Sequence, residues 1–138
     1  MQVQAPPRDD MAILGMNHFT VLASDLDATL RFYCDLLGLT KGPRPAFDFP
    51  GAWLYSAGAA VLHVVAGRPV PHPAAGVIDH MAFSARGLGK TVATLKEHQI
   101  RFDLRQLPGD GTWQLFFHDP DGARVELDFD ATEAAPAQ

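Results

Sequence analysis

His18, His63, His80 and Glu126 are the residues of this chain whose types and spacing fit chemistry at a divalent cation. His18 and His80 stand at matching points of two short alternating stretches, Asn17-His18-Phe19-Thr20-Val21 and Asp79-His80-Met81-Ala82-Phe83, a spacing of 62 positions. His63 and Glu126 form a second matched pair, 63 positions apart. Three imidazoles and a carboxylate are costly to bury unpaired, and one divalent ion satisfies all four. The set suits Zn²⁺, Fe²⁺, Ni²⁺, Co²⁺ or Mn²⁺.

The elements that must position these residues repeat as well. Leu26, Leu30 and Tyr33 follow the first histidine in helical register, and Leu88, Val92 and Leu95 follow the second at the same offset of 62. Alternation predicts strands over 15–23, 39–47, 52–56 and 60–66, then over 77–85, 101–107, 112–117 and 123–129. Helices are predicted from Ser24, opened by a Ser24-x-x-Asp27 capping pattern and closed by Gly38, and from Leu88 to His98. Turns fall at Gly58-Ala59 and at Asp119-Pro120-Asp121-Gly122. The order is βαβββ twice, an α+β chain. It divides into a flexible start at 1–13, a first module at 14–66, a proline-rich linker at 67–76, a second module at 77–130 and a flexible end at 131–138.

Period-two geometry sorts each strand into two faces. Phe19, Val21, Leu62, Val64, Met81, Phe83, Val125, Leu127 and Phe129 share the side on which helices can cover them. His18, His63, His80 and Glu126 take the other side. Trp53, Tyr55, Gln114, Phe116 and His118 have the same parity as the four polar residues, so they line any pocket formed there.

Composition narrows the class. The 138 residues are 47% hydrophobic and 20% charged with net charge −5, which fits one globular domain and, without a basic cluster, gives a nucleic-acid or anionic-membrane surface no support. The lone Cys34 reads as an inert helix thiol. No leader-like or membrane-spanning run is present, so a cytoplasmic protein is expected.

From Leu14 to Phe129 the chain resembles the vicinal oxygen chelate superfamily, which includes glyoxalase I, extradiol dioxygenases and bleomycin resistance proteins. The resemblance is carried by Asn-His-Phe-Thr-Val at 17–21, Arg31-Phe32-Tyr33 with Leu36-Leu37-Gly38-Leu39, Asp79-His80-Met81-Ala82-Phe83, and Phe116-Phe117-His118-Asp119-Pro120-Asp121-Gly122 before Val125-Glu126-Leu127. Gly51-Ala52-Trp53-Leu54 ahead of Leu62-His63 is most similar to glyoxalase I-like proteins. The resemblance implies two βαβββ modules curved into an eight-stranded mixed-sheet cup with helices outside, and ligands on the first and last strands of each module. Those are the positions of His18, His63, His80 and Glu126.

A metal-dependent glyoxalase-like lyase or isomerase follows, acting on a small substrate with vicinal oxygens, with one divalent ion as cofactor and Glu126 as the catalytic base. Relatives of the glyoxalase I type usually hold a carboxylate where this chain has His63. The alternatives are an Fe²⁺ extradiol-type dioxygenase using His18, His80 and Glu126, for which Phe116 stands where a tyrosine is typical, and a non-catalytic protein that sequesters a small molecule. A homodimer is expected, because two such modules can pair within one chain or with a second one.

Overall fold

The computed structural model describes residues 12–137. The first eleven residues of the predicted N-terminal segment 1–13 and the last residue of the predicted C-terminal segment 131–138 lie outside the described residues. The elements run β1 (Phe19–Ala23), α1 (Leu26–Leu30) continuing as a π-helical segment (Arg31–Leu36), β2 (Thr40–Gly42), β3 (Gly51–Ser56), β4 (Ala59–Ala66), β5 (Met81–Ser84), α2 (Leu88–Glu97), β6 (Asp103–Gln106), β7 (Trp113–His118) and β8 (Arg124–Phe129). This is βαβββ twice, as the repeat predicts.

Each module closes into its own four-stranded mixed sheet, in the orders β1-β4-β3-β2 and β5-β8-β7-β6. The first strand of each module runs parallel to the last, Thr20 opposite His63 and Ala82 opposite Glu126. β1 and β5 are therefore both edge strands, and among the described residues no ladder joins them. Strand alternation holds in the burial. Val21, Leu62, Val64, Met81, Val125, Leu127 and Phe129 are all buried, with Phe19 and Phe83 packed against them. Leu88, Val92 and Leu95 of α2 belong to the same cluster, so both modules share one core. Each such side chain contributes about 1.5–3 kcal/mol.

Local details differ from the sequence expectations for identifiable reasons. α1 is capped by Asp25, whose carboxylate accepts from the Ala28 amide at 3.1 Å. Ser24 is not the cap, because its amide and hydroxyl donate across the module junction to Asp121. The β3–β4 turn is made by Ala57 and Gly58, both at positive φ, one position earlier than expected. β2 ends at Gly42 instead of continuing to Phe47, since Pro43 and Pro45 lack the donors a ladder needs. At the other end, residues 131–137 fold back on the second module. The Glu133 carboxylate accepts from the Gly87 and Leu88 amides at the start of α2, and the Glu133 carbonyl accepts from the Trp113 indole.

The predicted strands at 15–23 and 77–85 also start late. Residues 15–18 and 77–80 precede the ladders, and the apolar residues in and beside them are open to solvent: Leu14 is 99% exposed, Met16 71%, Val77 103% and Ile78 75%. Alternating strand sequence is thus left without a strand partner among the described residues at the same place in both modules.

The modules are joined through a buried polar contact. The Tyr33 hydroxyl donates to Asp119 Oδ2 at 2.8 Å, while Asp119 Oδ1 accepts from the Asp121 and Ala123 amides. Burial pushes the Asp119 carboxyl above its ordinary value of 3.8, and outweighs those hydrogen bonds, which pull it down. A carboxyl raised in the fold contributes stability that is present below its unfolded value and lost as pH climbs through the folded one. Stability measured by denaturant melts is therefore expected to fall as pH rises through that window. Asp119→Asn, which keeps an acceptor but cannot ionise, is expected to flatten the fall; an unchanged slope would remove Asp119 as its source.

Candidate metal centre

The four polar residues meet in two pairs. His18 leads into β1 and stacks on His63 of β4, ring centroids 3.7 Å apart. His80 leads into β5, and its Nε2 lies 3.2 Å from Oε1 of Glu126 on β8. The parallel pairing of first and last strands dictates both meetings, since it sets Thr20 beside His63 and Ala82 beside Glu126. No contact joins one pair to the other. Among the described residues, no three histidine, cysteine or carboxylate side chains are gathered as the donor set of one ion.

Strand direction explains the separation. β1 and β5 run past each other across two clefts, one of about 610 Å³ lined by His18 and Phe19 with Ala82, Phe83 and Ser84, the other of about 530 Å³ lined by Thr20 and Val21 with Asp79 and His80. His18 therefore shares its cleft with residues 82–86, and His80 shares the other cleft with Phe19, Thr20 and Val21.

Each leading histidine is oriented by the residue before it. The Nδ1–H of His18 donates to the Asn17 side-chain oxygen at 2.7 Å, and that of His80 donates to the Asp79 carboxylate at 2.7 Å. Nε2 is left as the free donor in both, the arrangement that outer hydrogen bonds impose on metal-ligating histidines. Asp79 is itself held by Arg124 at 2.9 Å. The hydrogen bond from His80, then that from Arg124, keeps the Asp79 carboxyl below the usual carboxylate range. Nε2 of His80 thus faces a carboxylate oxygen, an approach that a proton or a divalent cation between the two atoms satisfies. Two donors on one tetrahedral ion, each about 2.1 Å from it, stand roughly 3.4 Å apart, close to the observed separation.

The surroundings differ between the halves. In the first module Trp53 stacks on His63 at 4.0 Å and Phe47 packs near Trp53. Gly51 lets the 43–50 loop lie down beside β4, where a Cβ would collide with the Val64 carbonyl. Burial, then the neighbouring His18, lowers the His63 pKa, which keeps the ring neutral and its lone pair available. Tyr55 is committed elsewhere: its ring lies against Gly42 and its hydroxyl donates to the Pro43 carbonyl. In the second module Phe116 is buried beside His80, and Gln114 pairs with Asp128 across β7 and β8. His118, at the end of β7, is exposed.

Sequence reasoning missed Asp128. It sits two residues beyond Glu126 on the same strand face, with Oδ1 buried and unpartnered, and its pKa is pushed up to about 6 by burial first and by Glu126 second. Its period-two relation to Glu126 was the available signal, but the first module has Val65 there, so the repeat hid it.

Residues 15–127 match the family described as the Glyoxalase/Bleomycin resistance protein/Dioxygenase superfamily, and the chain belongs to it. Among curated proteins it is 32% identical over 123 residues to Glyoxylase I 4 of Arabidopsis thaliana, covering 83% of this chain and 70% of that one. The fold is also that of the lactoylglutathione lyase from Agrobacterium tumefaciens, with a TM-score of 0.64 at 18% identity over 91% of this chain and 100% of that one. The fosfomycin resistance protein FosX of Listeria monocytogenes, solved with Mn(II) and a dihydroxypropylphosphonic acid, superposes with a TM-score of 0.70 at 16% identity over 87% of this chain and 95% of that one. No helix among the described residues is long and apolar enough to cross a membrane.

Proposed function

We propose that this chain is a metal-dependent glyoxalase-like lyase or isomerase whose metal centre is completed between two copies, His18 and His63 from one and His80 and Glu126 from the other. The observation that carries this reading is the division of four matched ligands into two oriented pairs that do not meet within the chain. The edges of β1 and β5, which carry no ladder among the described residues, and the exposed Met16, Val77 and Ile78 beside them supply the surface a second copy would cover. Family membership and the similarity to a glyoxylase I protein support the reaction class.

The bound divalent ion would supply Lewis acidity toward two adjacent substrate oxygens and stabilise the anion formed between them. Glu126 is the residue to take the proton from the intervening carbon. It is buried and on the strand face shared with His80, so its carboxylate is poorly hydrated and positioned. Asp128 beside it gives that proton a second carboxyl to rest on. Asp79 and Asn17 hold the histidine rings, and Trp53 and Phe116, packed against His63 and His80, would line the space around the reacting carbon.

The test is to load the protein with Zn²⁺, Fe²⁺, Ni²⁺, Co²⁺ and Mn²⁺ in turn and follow the hemithioacetal of a 2-oxoaldehyde by NMR in D₂O. Conversion to the 2-hydroxy thioester is expected with at least one metal and to be lost in Glu126→Gln. Tight binding of the hemithioacetal with no conversion by any loaded form would replace the enzyme with a sequestering protein, and oxygen uptake with a catechol under Fe²⁺ would replace it with a dioxygenase.

A further inference from the structure

In the first sheet β4 lies between β1 and β3, so His63 has a neighbouring strand on each side. His18 covers one face of its imidazole, centroids 3.7 Å apart and planes 17° from parallel, and the Trp53 indole covers the other at 4.0 Å and 9°. With both faces taken, only the ring edge, which carries the nitrogens, is left to meet a ligand.

The indole is itself braced by the 43–50 loop. Phe47 lies 6.5 Å from it and Phe49 stacks on Phe47 at 4.9 Å. The Arg44 guanidinium ties these rings down, resting over both while it donates to the Phe49 carbonyl at 3.0 Å.

The second module has no such sandwich. Register makes Phe116 the counterpart of Trp53, since Trp53 pairs with His63 and Phe116 with Glu126. Phe116 meets His80 edge-on, at 5.7 Å and 86°, and its ring takes the guanidinium groups of Arg105 and Arg124 at 4.7 and 4.4 Å. The face-to-face stack thus accompanies the histidine and is not a property of the repeat. A carboxylate offers two equivalent oxygens whichever way it turns, whereas a neutral imidazole offers one lone pair in its ring plane, so rotation of the ring misdirects it. A flat aromatic wall removes that rotation.

We propose that Trp53 is a positioning residue, which holds the His63 imidazole parallel to His18 so that the edges of both rings face one divalent ion. This rests on the metal-centre reading above for the ion, while the ring stack stands without it. The shared core contains none of the four proposed ligands, so the chelator-treated full chain is expected to keep its fold.

Two measurements on the chelator-treated chain test it. In NMR spectra, contacts between the ring protons of His18 and His63 are expected in wild type and in Trp53→Phe, and to be lost in Trp53→Leu. In calorimetric titration with Zn²⁺, Trp53→Leu is expected to bind at least tenfold more weakly than wild type, and Trp53→Phe close to wild type. Made on a His63→Glu background, the same Trp53→Leu change is expected to leave Zn²⁺ affinity unchanged, because a carboxylate has no ring to orient. An equal loss in both backgrounds would make Trp53 a general support of the sheet and overturn the proposal. Wild-type Zn²⁺ affinity in Trp53→Leu, or ring contacts that survive that substitution, would overturn it as well. If the ring contacts respond as expected but wild type binds no Zn²⁺, the metal-centre reading fails and Trp53 stands as the residue that orients His63.

Discussion

Mixing His18→Ala protein with His80→Ala protein is expected to restore a class of divalent-metal sites of wild-type affinity that neither variant has by itself. Each substitution removes one ligand from every site, so affinity should fall at least tenfold in either pure variant, about 1.4 kcal/mol or more. If sites are shared between copies, a mixed dimer places both damaged modules in one site and both intact modules in the other. Random exchange of subunits then regenerates up to about a quarter of the wild-type sites. Calorimetric titration of the mixture after unfolding and refolding together reads this directly, with light scattering to report a mass about twice the 15.0 kDa chain. Sites closed within one chain would give no recovery at any mixing ratio, because each chain would still lack a ligand. The exposed apolar residues before β1 and β5 bear on the same result, since they would be covered only in the assembled dimer.

The largest stability loss is expected at Asp119. Asp119→Ala removes the acceptor of the Tyr33 hydroxyl, which is fully buried, and of the Asp121 and Ala123 amides. Leaving several such donors without partners costs roughly 3 kcal/mol or more. For a domain of this size that is a drop of about 10 °C in thermal midpoint. Tyr33→Phe, which leaves Asp119 its two backbone partners, is expected to cost about 1 kcal/mol. A wild-type melting curve for Asp119→Ala would show that the apolar contact of Phe32 with Phe117 holds the modules together without this polar link.

Most of the architecture could be read before any coordinates, because it was written twice. Strand faces and helix faces are set by periodicities of about 2 and 3.6 residues, local properties that burial of Val21, Leu62, Val125 and Leu88 reproduces. The pairing of His18 with His63 and of His80 with Glu126 was likewise implicit in a module whose first and last strands are neighbours. Asp25 as the cap, Asp128 beside Glu126 and the Tyr33–Asp119 link were not legible. Each depends on which side chain arrives from a distant segment, or departs from the repeat.

The meeting of the two pairs was the other matter that only tertiary structure decided. Ligand types and spacings are the same whether modules close on each other or on a second copy. What would separate the cases is how β1 and β5 lie across the clefts between modules that share a single core. Hydrophobic burial is non-directional and the repeat is symmetric, so the residues of either module alone do not choose between the two arrangements. Contacts between modules bear on that choice, and those of this chain, Tyr33 to Asp119 and Ser24 to Asp121, join residues 86 and 97 positions apart.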